Sequence, residues 1–229
     1  MLDEKIQQLG FKPSVLGQQV AGVLAEAILD NDLKGGEQLV EMELQKKFGI
    51  SRSPLREAFR DLDKMGLVEI VPHKGTFVRK VTGEDIRQTY PIRAVLESLA
   101  AAEAHPRMAG DGLARLSDCI TNMEKYFLSD DKIAYWKQHF IFHEIFINAS
   151  GNGVLIDILR IVRMRTHRYR FSLRYYQDNF RENLAVHQAI HGMFMDRSAP
   201  IAKLSALVRR HIEESSVKFI DYIETHEIE

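Results

Sequence analysis

Cysteine is almost absent from this sequence. Its 229 residues include a single cysteine, Cys119, which excludes an intrachain disulfide framework and a metal site built from paired cysteines. A lone free thiol is typical of proteins of the reducing cytoplasm. Because Cys119 falls on the apolar face of a predicted helix, we interpret it as a core residue and not as a catalytic one.

Long apolar runs and a large excess of charge are also missing. The N-terminal segment MLDEKIQQLGFKPS contains no apolar stretch of the kind found in signal peptides. No window reaches the roughly 18 uninterrupted apolar residues of a membrane span. The formal net charge is -1, so a nucleic-acid surface must come from local placement of basic residues. We therefore expect a cytoplasmic protein without a membrane partner, long enough for two domains.

Helical periodicity dominates the start of the chain. Apolar residues repeat at three- and four-residue spacing over residues 14–31, which predicts an amphipathic helix. A second, short helix is predicted over residues 40–48. A third begins with Ser53 as the predicted N-cap and Pro54 at the first helical position, and it ends at about Met65.

The period changes after Gly66. Residues 67–71 and 76–80 are short β-branched segments around a turn at 72–75, and together they predict a β-hairpin. From about residue 83 onward only helical periodicity remains, interrupted by short breakers, which predicts about six helices. The predicted fold is mainly α, with a winged helix-turn-helix in residues 1–81 and an all-α six- or seven-helix bundle in residues 82–229.

Basic side chains concentrate on the predicted winged domain. Between residues 44 and 80 they outnumber the acidic ones, and the second helix of a helix-turn-helix lies in the major groove with its N-terminal residues leading. Arginine and serine there suit guanine and phosphate, although any single arginine could instead be a solvated surface charge. The candidates for DNA contact, on the recognition helix and the wing, are Ser51, Arg52, Ser53, Arg56, His73, Lys74 and Gly75.

The run ISRSPLREAFRDLDKMGLVEIVPHKGTFV resembles the N-terminal domain of GntR-type transcriptional regulators. The resemblance covers residues 16–81 and implies that six of the seven candidates, all except Ser53, occupy DNA-contact positions. One departure affects specificity. Some members of the family place a base-reading arginine on the preceding helix, where this sequence has Met42, so its operator is expected to differ.

Four of the nine histidines could meet inside the predicted bundle. His139 and His143 are four residues apart, on one face of a helix, and His187 and His211 lie on the last two predicted helices. Facing helices of a bundle often converge ligands on an interior site. An all-histidine set favours a divalent transition metal, with zinc or nickel foremost. The alternative is that the spacing is accidental.

Residues 85–224 resemble the helical FCD effector domain of the FadR-type branch of the same family. The similarity rests on ordered segments around Arg93, His143, His187 and His211. Many members bind a divalent metal through one aspartate and three histidines. His143, His187 and His211 fit the three histidine positions. The aspartate position is His139 here. Either the site has four histidines, or His139 turns aside. Loss of the carboxylate makes the site more cationic and more attractive to an anionic effector.

Arg93 lies near the metal by resemblance and is a candidate for effector binding. A buried guanidinium needs an anion, which is either Glu97 one turn away or a ligand carboxylate. Asn152 opens a helix, and it caps that helix, binds the effector, or does both. One member of an arginine cluster could also reach the pocket; the cluster comprises Arg163, Arg165, Arg168, Arg170 and Arg174. The remaining histidines interpreted as structural or surface residues are His105, His167, His191 and His226.

These patterns predict a homodimeric transcriptional regulator, which we expect to be a repressor. Two recognition helices related by two-fold symmetry would read a near-palindromic double-stranded operator, and a small carboxylate at the metal site would control affinity. The alternatives are a regulator that senses the metal itself and a constitutive DNA-binding factor. A more remote alternative is a histidine-ligated metalloenzyme, but no nucleophile elbow, HExxH or phosphate loop is present, so we do not expect an enzyme.

Overall fold

The computed structural model describes residues 16–29, 32–80, 82–167 and 180–225. It is mainly helical, as the sequence predicts, and its contacts divide it into two compact units. Of the described residues, the first unit comprises those up to Thr82 together with 164–167, and the second comprises 83–163 and 180–225. Within the described ranges, none of the helices combines the length and the apolar character needed to cross a membrane.

The first unit is a winged helix-turn-helix. Its elements in chain order are α1 (Leu16–Leu29), β1 (Gln38–Leu39), α2 (Glu41–Phe48), α3 (Arg52–Lys64), β2 (Val68–Val71) and β3 (Gly75–Val78). The strands form an antiparallel sheet in the order β1-β3-β2. Val20, Leu24, Leu55, Leu62 and Leu67 are fully buried and belong to one core. The burial of this core holds α2 and α3 against each other and leaves their polar sides in solvent.

Two local features of this unit differ from the prediction. The N-cap of α3 is Ser51, with extended backbone, and not Ser53, which lies inside the helix together with Pro54. Ser51 makes no side-chain cap hydrogen bond, and α2 ends at Gly49 in the left-handed conformation (φ 65°), so the turn leaves few residues before α3 begins. The hairpin also has a third strand, β1, whose two residues are too short to show a period in sequence.

The wing turn adopts a conformation that favours glycine at one position. Gly75 has φ 116°, and a Cβ there would lie 2.9 Å from Gln38 Nε2. That amide donates to the carbonyl of Lys74 at 3.0 Å. His73 also has a positive φ of 61°. The tip is therefore a defined turn, tied to β1, that projects His73 and Lys74 into solvent.

The second unit contains six helices among the described residues, in agreement with the predicted number. They are α4 (Gly83–Arg107), α5 (Asp111–Leu128), α6 (Lys132–Ala149), α7 (Gly153–His167), α8 (Phe180–Met195) and α9 (Ile201–Thr225). α9 packs along α4, α6 packs against α4 and α5, and α8 packs against α5 and α9. The centre of the bundle therefore receives side chains from α4, α6, α8 and α9.

Candidate metal centre and nucleic-acid interface

The four histidines singled out in the sequence converge in the bundle. His139 and His143 come from α6, His187 from α8 and His211 from α9. One ligand nitrogen from each lies within 4.8 Å of the other three. His143, His187 and His211 are buried, and His139 is half-buried. Imidazole nitrogens are donors that zinc, nickel and copper prefer.

Hydrogen bonds through Nδ1 fix the orientation of the His143 and His187 rings. His143 Nδ1 donates to Glu97 Oε2 at 2.7 Å, and His187 Nδ1 donates to the carbonyl oxygen of Asn183 at 2.6 Å. A carboxylate and a carbonyl can only accept, so both Nδ1 atoms carry the proton and both Nε2 atoms carry a lone pair. These two Nε2 atoms face each other at 3.1 Å. Two facing lone pairs repel each other, and a shared cation removes that repulsion.

His139 contributes a nitrogen without a hydrogen bond. Its Nδ1 is buried and has no hydrogen-bond partner in the part of the chain that the structure describes. The ring lies edge-on to Trp136, with centroids 4.7 Å apart, and 4.5 Å from the ring of His187. Leaving a buried nitrogen unsatisfied costs about 1–3 kcal/mol. His139 is thus turned toward the cluster, and its orphaned nitrogen fits a metal ligand.

Burial keeps the cluster neutral. Burial and the neighbouring histidines hold the pKa values of His139 and His187 well below the usual range, and the same causes lower the pKa of His211 to about 3. Burial also lowers the pKa of His143, although Glu97 opposes it. All four imidazoles are therefore neutral near pH 7, which is the form that binds metal.

A buried ionic network surrounds the cluster on the α4 side. Glu97 is fully buried; its Oε1 accepts from Arg93 Nε at 2.9 Å and lies 2.9 Å from Arg93 Nη2. Burial by itself would raise the pKa of Glu97, but Arg93, His143 and Arg163 together outweigh burial and keep that pKa well below the usual range. Of the two possible partners for Arg93, the structure therefore shows Glu97.

Arg163 is the member of the arginine cluster that reaches this network. It is 4% exposed, its Nε lies 3.8 Å from Glu97 Oε1, and it pairs with Glu144 on α6. Its guanidinium also lies over the ring of Phe140, 4.2 Å from the centroid. The sequence alone could not select it. The side chain of Arg165 and residues 168, 170 and 174 lie outside the described residues.

Asn152 caps α7. Its Oδ1 accepts from the backbone N–H of Leu155 at 3.1 Å, and its Nδ2 lies 3.5 Å from Glu103 Oε1. Of the two predicted roles the structure shows the cap, and effector contact stays a prediction. Cys119 is buried, and burial raises the pKa of its thiol to about 11, so it is unsuited to nucleophilic chemistry.

Two further histidines have structural contacts. His105 Nε2 lies 3.2 Å from the carbonyl oxygens of Met193 and Asp196. His191 Nε2 lies 2.8 Å from Ser117 Oγ. The side chain of His167 and residue 226 fall outside the described part of the chain.

All seven predicted DNA-contact residues lie on the surface of the winged unit. Arg52 and Arg56 are one turn apart on α3, with side chains 65% and 55% exposed. Both donate through Nε to Glu41 on α2. Sequence reasoning missed Glu41, because it is 11 and 15 residues from its partners and no helical spacing connects them.

Comparison with known proteins assigns both units. Residues 16–78 match the family "Bacterial regulatory proteins, gntR family", and residues 88–214 match the FCD domain. A Bacillus subtilis protein described as an uncharacterized HTH-type transcriptional regulator, YdhC, is 32% identical over 76% of this chain and 77% of its own length. A probable D-xylose utilization operon transcriptional repressor of Paenarthrobacter nicotinovorans is 28% identical over 62% of this chain and 63% of its own length.

A solved structure shares the fold. The E. coli protein McbR/YncC superimposes with a TM-score of 0.75 at 18% identity, over 90% of this chain and 98% of that one. The relatives found are regulators of transcription and not enzymes. The gntR family model matches the first unit, the FCD model matches the second, and YdhC is similar over three quarters of its length. The chain therefore belongs to the GntR family of bacterial DNA-binding transcriptional regulators, and it carries an FCD domain.

Proposed function

We propose that the protein is a repressor whose operator affinity is set by a small carboxylate bound at a divalent transition metal. His139, His143, His187 and His211 would hold the metal, with zinc or nickel as the expected ion. The observation that carries the proposal is the 3.1 Å approach of the unprotonated Nε2 atoms of His143 and His187. The printed description of the Paenarthrobacter relative as a probable repressor supports the direction of regulation.

The charges around the site favour an anionic effector. Two guanidiniums, those of half-buried Arg93 and buried Arg163, face the fully buried carboxylate of Glu97, and Arg163 also pairs with Glu144. Four neutral histidines add no negative charge, and a divalent metal would add two positive ones. Because Glu97 and Glu144 already balance the two guanidiniums, the charge of a bound metal would be the part left uncompensated, and an anion would balance it. Because Arg93 already donates to Glu97, an effector carboxylate would bind the metal and compete with Glu97 for that guanidinium.

Metal analysis tests the first part of the proposal. Protein purified without chelator and incubated with zinc or nickel should retain about one equivalent of metal per chain. A His143→Ala, His187→Ala double variant should retain none. His191→Ala is a matched control, because it removes an imidazole from the same helix as His187 without touching the cluster. Equal metal content in all three proteins would contradict the metal site.

A second measurement addresses the effector. Thermal melting of the zinc-loaded protein against a panel of small mono- and dicarboxylates should identify ligands that raise its Tm, since a ligand of the folded state stabilises it. An effector must also change affinity for an operator selected from random duplexes, by a coupling of about 1–3 kcal/mol. If none of the carboxylates changes the Tm or the operator affinity, the proposal of a carboxylate effector is contradicted.

The geometry also supports an alternative signal. Zinc in proteins is usually four-coordinate, and catalytic or ligand-binding sites keep one position open. If His139 is the fourth ligand, the metal is closed to a carboxylate, and the metal itself would be the signal. Operator affinity measured for apo and zinc-loaded protein with no organic ligand separates the two. A change with zinc alone favours the metal sensor.

We further propose that the protein acts as a homodimer through the helical unit. The exposed apolar side chains Ile92, Val95 and Leu99 are spaced three and four residues apart on α4. The exposed side chains on α7 repeat at the same spacing and are Val154, Ile158 and Ile161.

The two apolar rows belong to neighbouring helices. α4 and α7 meet at the Glu97–Arg163 and Glu103–Asn152 contacts. The exposed pair Asp157 and Arg160 lies beside the α7 row and is complementary to its own copy under two-fold symmetry. A second copy of the chain is therefore the occupant we propose, since it also places two recognition helices on one operator.

Light scattering at micromolar concentration tests this interface. The double variant Ile158→Glu, Ile161→Glu should be monomeric, because carboxylates would be buried in the interface. Val217→Glu replaces another exposed apolar residue, on α9, and should remain dimeric. A monomeric wild-type protein, with and without DNA, would contradict the proposal.

A further inference from the structure

Glu41 joins the two predicted DNA-reading arginines. Its Oε2 accepts from Arg52 Nε at 2.7 Å, and its Oε1 accepts from Arg56 Nε at 3.0 Å. Each carboxylate oxygen therefore serves one guanidinium. The Glu41 side chain is 25% exposed, whereas those of Arg52 and Arg56 are 65% and 55% exposed. The carboxylate lies beneath the arginines, and the arginines face solvent.

This contact determines which donors remain available. A guanidinium has five N–H groups, and its Nε–H is one of them. With Nε–H engaged by Glu41, the terminal Nη groups of Arg52 and Arg56 remain for an external ligand. These terminal donors form the fork that pairs with two acceptors on a guanine edge or a phosphate. Glu41 thus leaves the recognition edge of both arginines open.

The same contact limits the freedom of the arginines before DNA arrives. Two like charges one turn apart on α3 repel each other, and long arginine side chains lose rotamer entropy when they are ordered. A carboxylate between them offsets the repulsion and holds both side chains. Interfaces whose side chains are already ordered gain affinity and selectivity, because less entropy is lost on binding.

The backbone gives Glu41 a fixed position. It lies in the first turn of α2, where an acidic side chain also interacts favourably with the helix dipole. Leu44 and Phe48 on α2 and Leu55 on α3 are buried in the same core. α2 and α3 are held together by that core, so the backbone of Glu41 keeps a fixed position relative to the backbones of Arg52 and Arg56.

We propose that Glu41 is a positioning residue that sets operator specificity by presenting Arg52 and Arg56 to the bases. It does so without touching DNA itself. Its negative charge repels the phosphate backbone and lowers affinity for any duplex, while the ordered arginines raise discrimination between sequences. The proposal rests on the docking of α3 in the major groove, and it is independent of the metal and the effector.

The test compares Glu41→Gln with Glu43→Gln in the full chain. Both variants remove one negative charge from α2, but Glu43 is exposed on that helix and is not part of the Arg52–Arg56 contact. Fluorescence anisotropy would measure affinity for a selected operator and for an unrelated duplex. Both variants should bind the unrelated duplex more tightly, because counterion release increases. Only Glu41→Gln should lose discrimination, by about tenfold or more.

A variant cycle separates positioning from charge. In an Arg52→Ala, Arg56→Ala background, Glu41→Gln should cause no further loss of discrimination, because the residues it positions are gone. Equal loss in both backgrounds, or equal behaviour of the Glu41 and Glu43 variants, would overturn the proposal. Unchanged operator affinity in the double arginine variant would instead show that the docking itself is wrong. Thermal melting of each variant verifies that it is folded.

Discussion

Glu97 Oε2 accepts the Nδ1 proton of His143 at 2.7 Å, although Glu97 lies on α4, a helix that supplies none of the four clustered histidines. This carboxylate therefore contacts a proposed metal ligand and is not itself one of the proposed ligands. It fixes the tautomer that points Nε2 of His143 toward His187, and it makes that nitrogen a better donor to a cation.

Replacing Glu97 should weaken metal binding. In Glu97→Gln we expect zinc affinity to fall about 10–100-fold, which is the usual effect of removing such a partner. The free energy of unfolding should also fall, by about 3–5 kcal/mol, because Arg93 loses its buried counter-charge. Competition with a chromophoric chelator and urea unfolding measure the two quantities. Glu144→Gln is the control, since Glu144 contacts Arg163 and no histidine of the cluster. Equal zinc affinity in both variants would contradict this role of Glu97.

Acid should destabilise the metal-free protein. In the folded state the pKa values of the four histidines lie below the ordinary value near 6.5, with His211 at about 3. As pH falls below about 6.5, the unfolded chain therefore takes up protons before the folded chain does, and stability decreases. This contribution is intact above about pH 6.5 and is lost progressively toward the folded pKa values. Bound metal should be released in the same direction, because protons compete for its ligands.

Melting temperatures from pH 8 to pH 4, recorded in the presence of a chelator, measure this dependence. The His143→Ala, His187→Ala variant should show a shallower decrease between about pH 6.5 and pH 4, since two of the groups that cause it are absent. His73→Ala, which removes an exposed imidazole from the wing tip, serves as the control. Identical slopes in the wild type and the double variant would contradict the assignment.

The arginines of α3 and the wing lysine should contribute differently to DNA binding. Arg52→Ala or Arg56→Ala should each cost about 1–3 kcal/mol of specific operator binding, because the guanidinium that pairs with a base is removed. Lys74→Ala should weaken binding to every sequence and reduce the salt dependence. Arg209→Ala, which removes an exposed, paired guanidinium from α9, should change neither. Unchanged operator affinity in both α3 variants would refute the docking.

Met42 should influence which operator is preferred. It is 78% exposed and follows Glu41 in the first turn of α2. A thioether side chain cannot make the bidentate contact with guanine that arginine makes. Selection from random duplexes with Met42→Arg should therefore yield a consensus enriched in guanine at a position that the wild type leaves unspecified. Identical consensus sequences would show that Met42 lies outside the interface.

The sequence could predict features that depend on local periodicity. The recognition helix, the hairpin and the His139–His143 spacing all follow from residues close in the chain, and the structure contains each of them. The pairing of Glu41 with Arg52, and the choice of Arg163 from five arginines, depend on how one helix is rotated against another. That rotation is set by core packing between helices, which no single-segment pattern contains.

The incorrect N-cap has a similar cause. Ser51 and Ser53 are both good capping residues by type, and Pro54 favours the later start. Because α2 is terminated by the left-handed turn at Gly49, α3 begins at Arg52, which is two residues before the predicted start at Pro54. The two-residue strand β1 is held by pairing with β3, and not by its own composition.

The packing of α9 along α4 connects the histidine cluster directly to the first helix of the helical unit. His211 lies on α9, and α4 begins at Gly83, the first residue after the winged unit. Tyr90 of α4 and Phe219 of α9 pack with ring centroids 5.9 Å apart. A metal that shifts His211 would displace this aromatic contact and, with it, the first turns of α4. A change at the histidine cluster would thus reach residue 83, at the start of α4, within the helical unit itself.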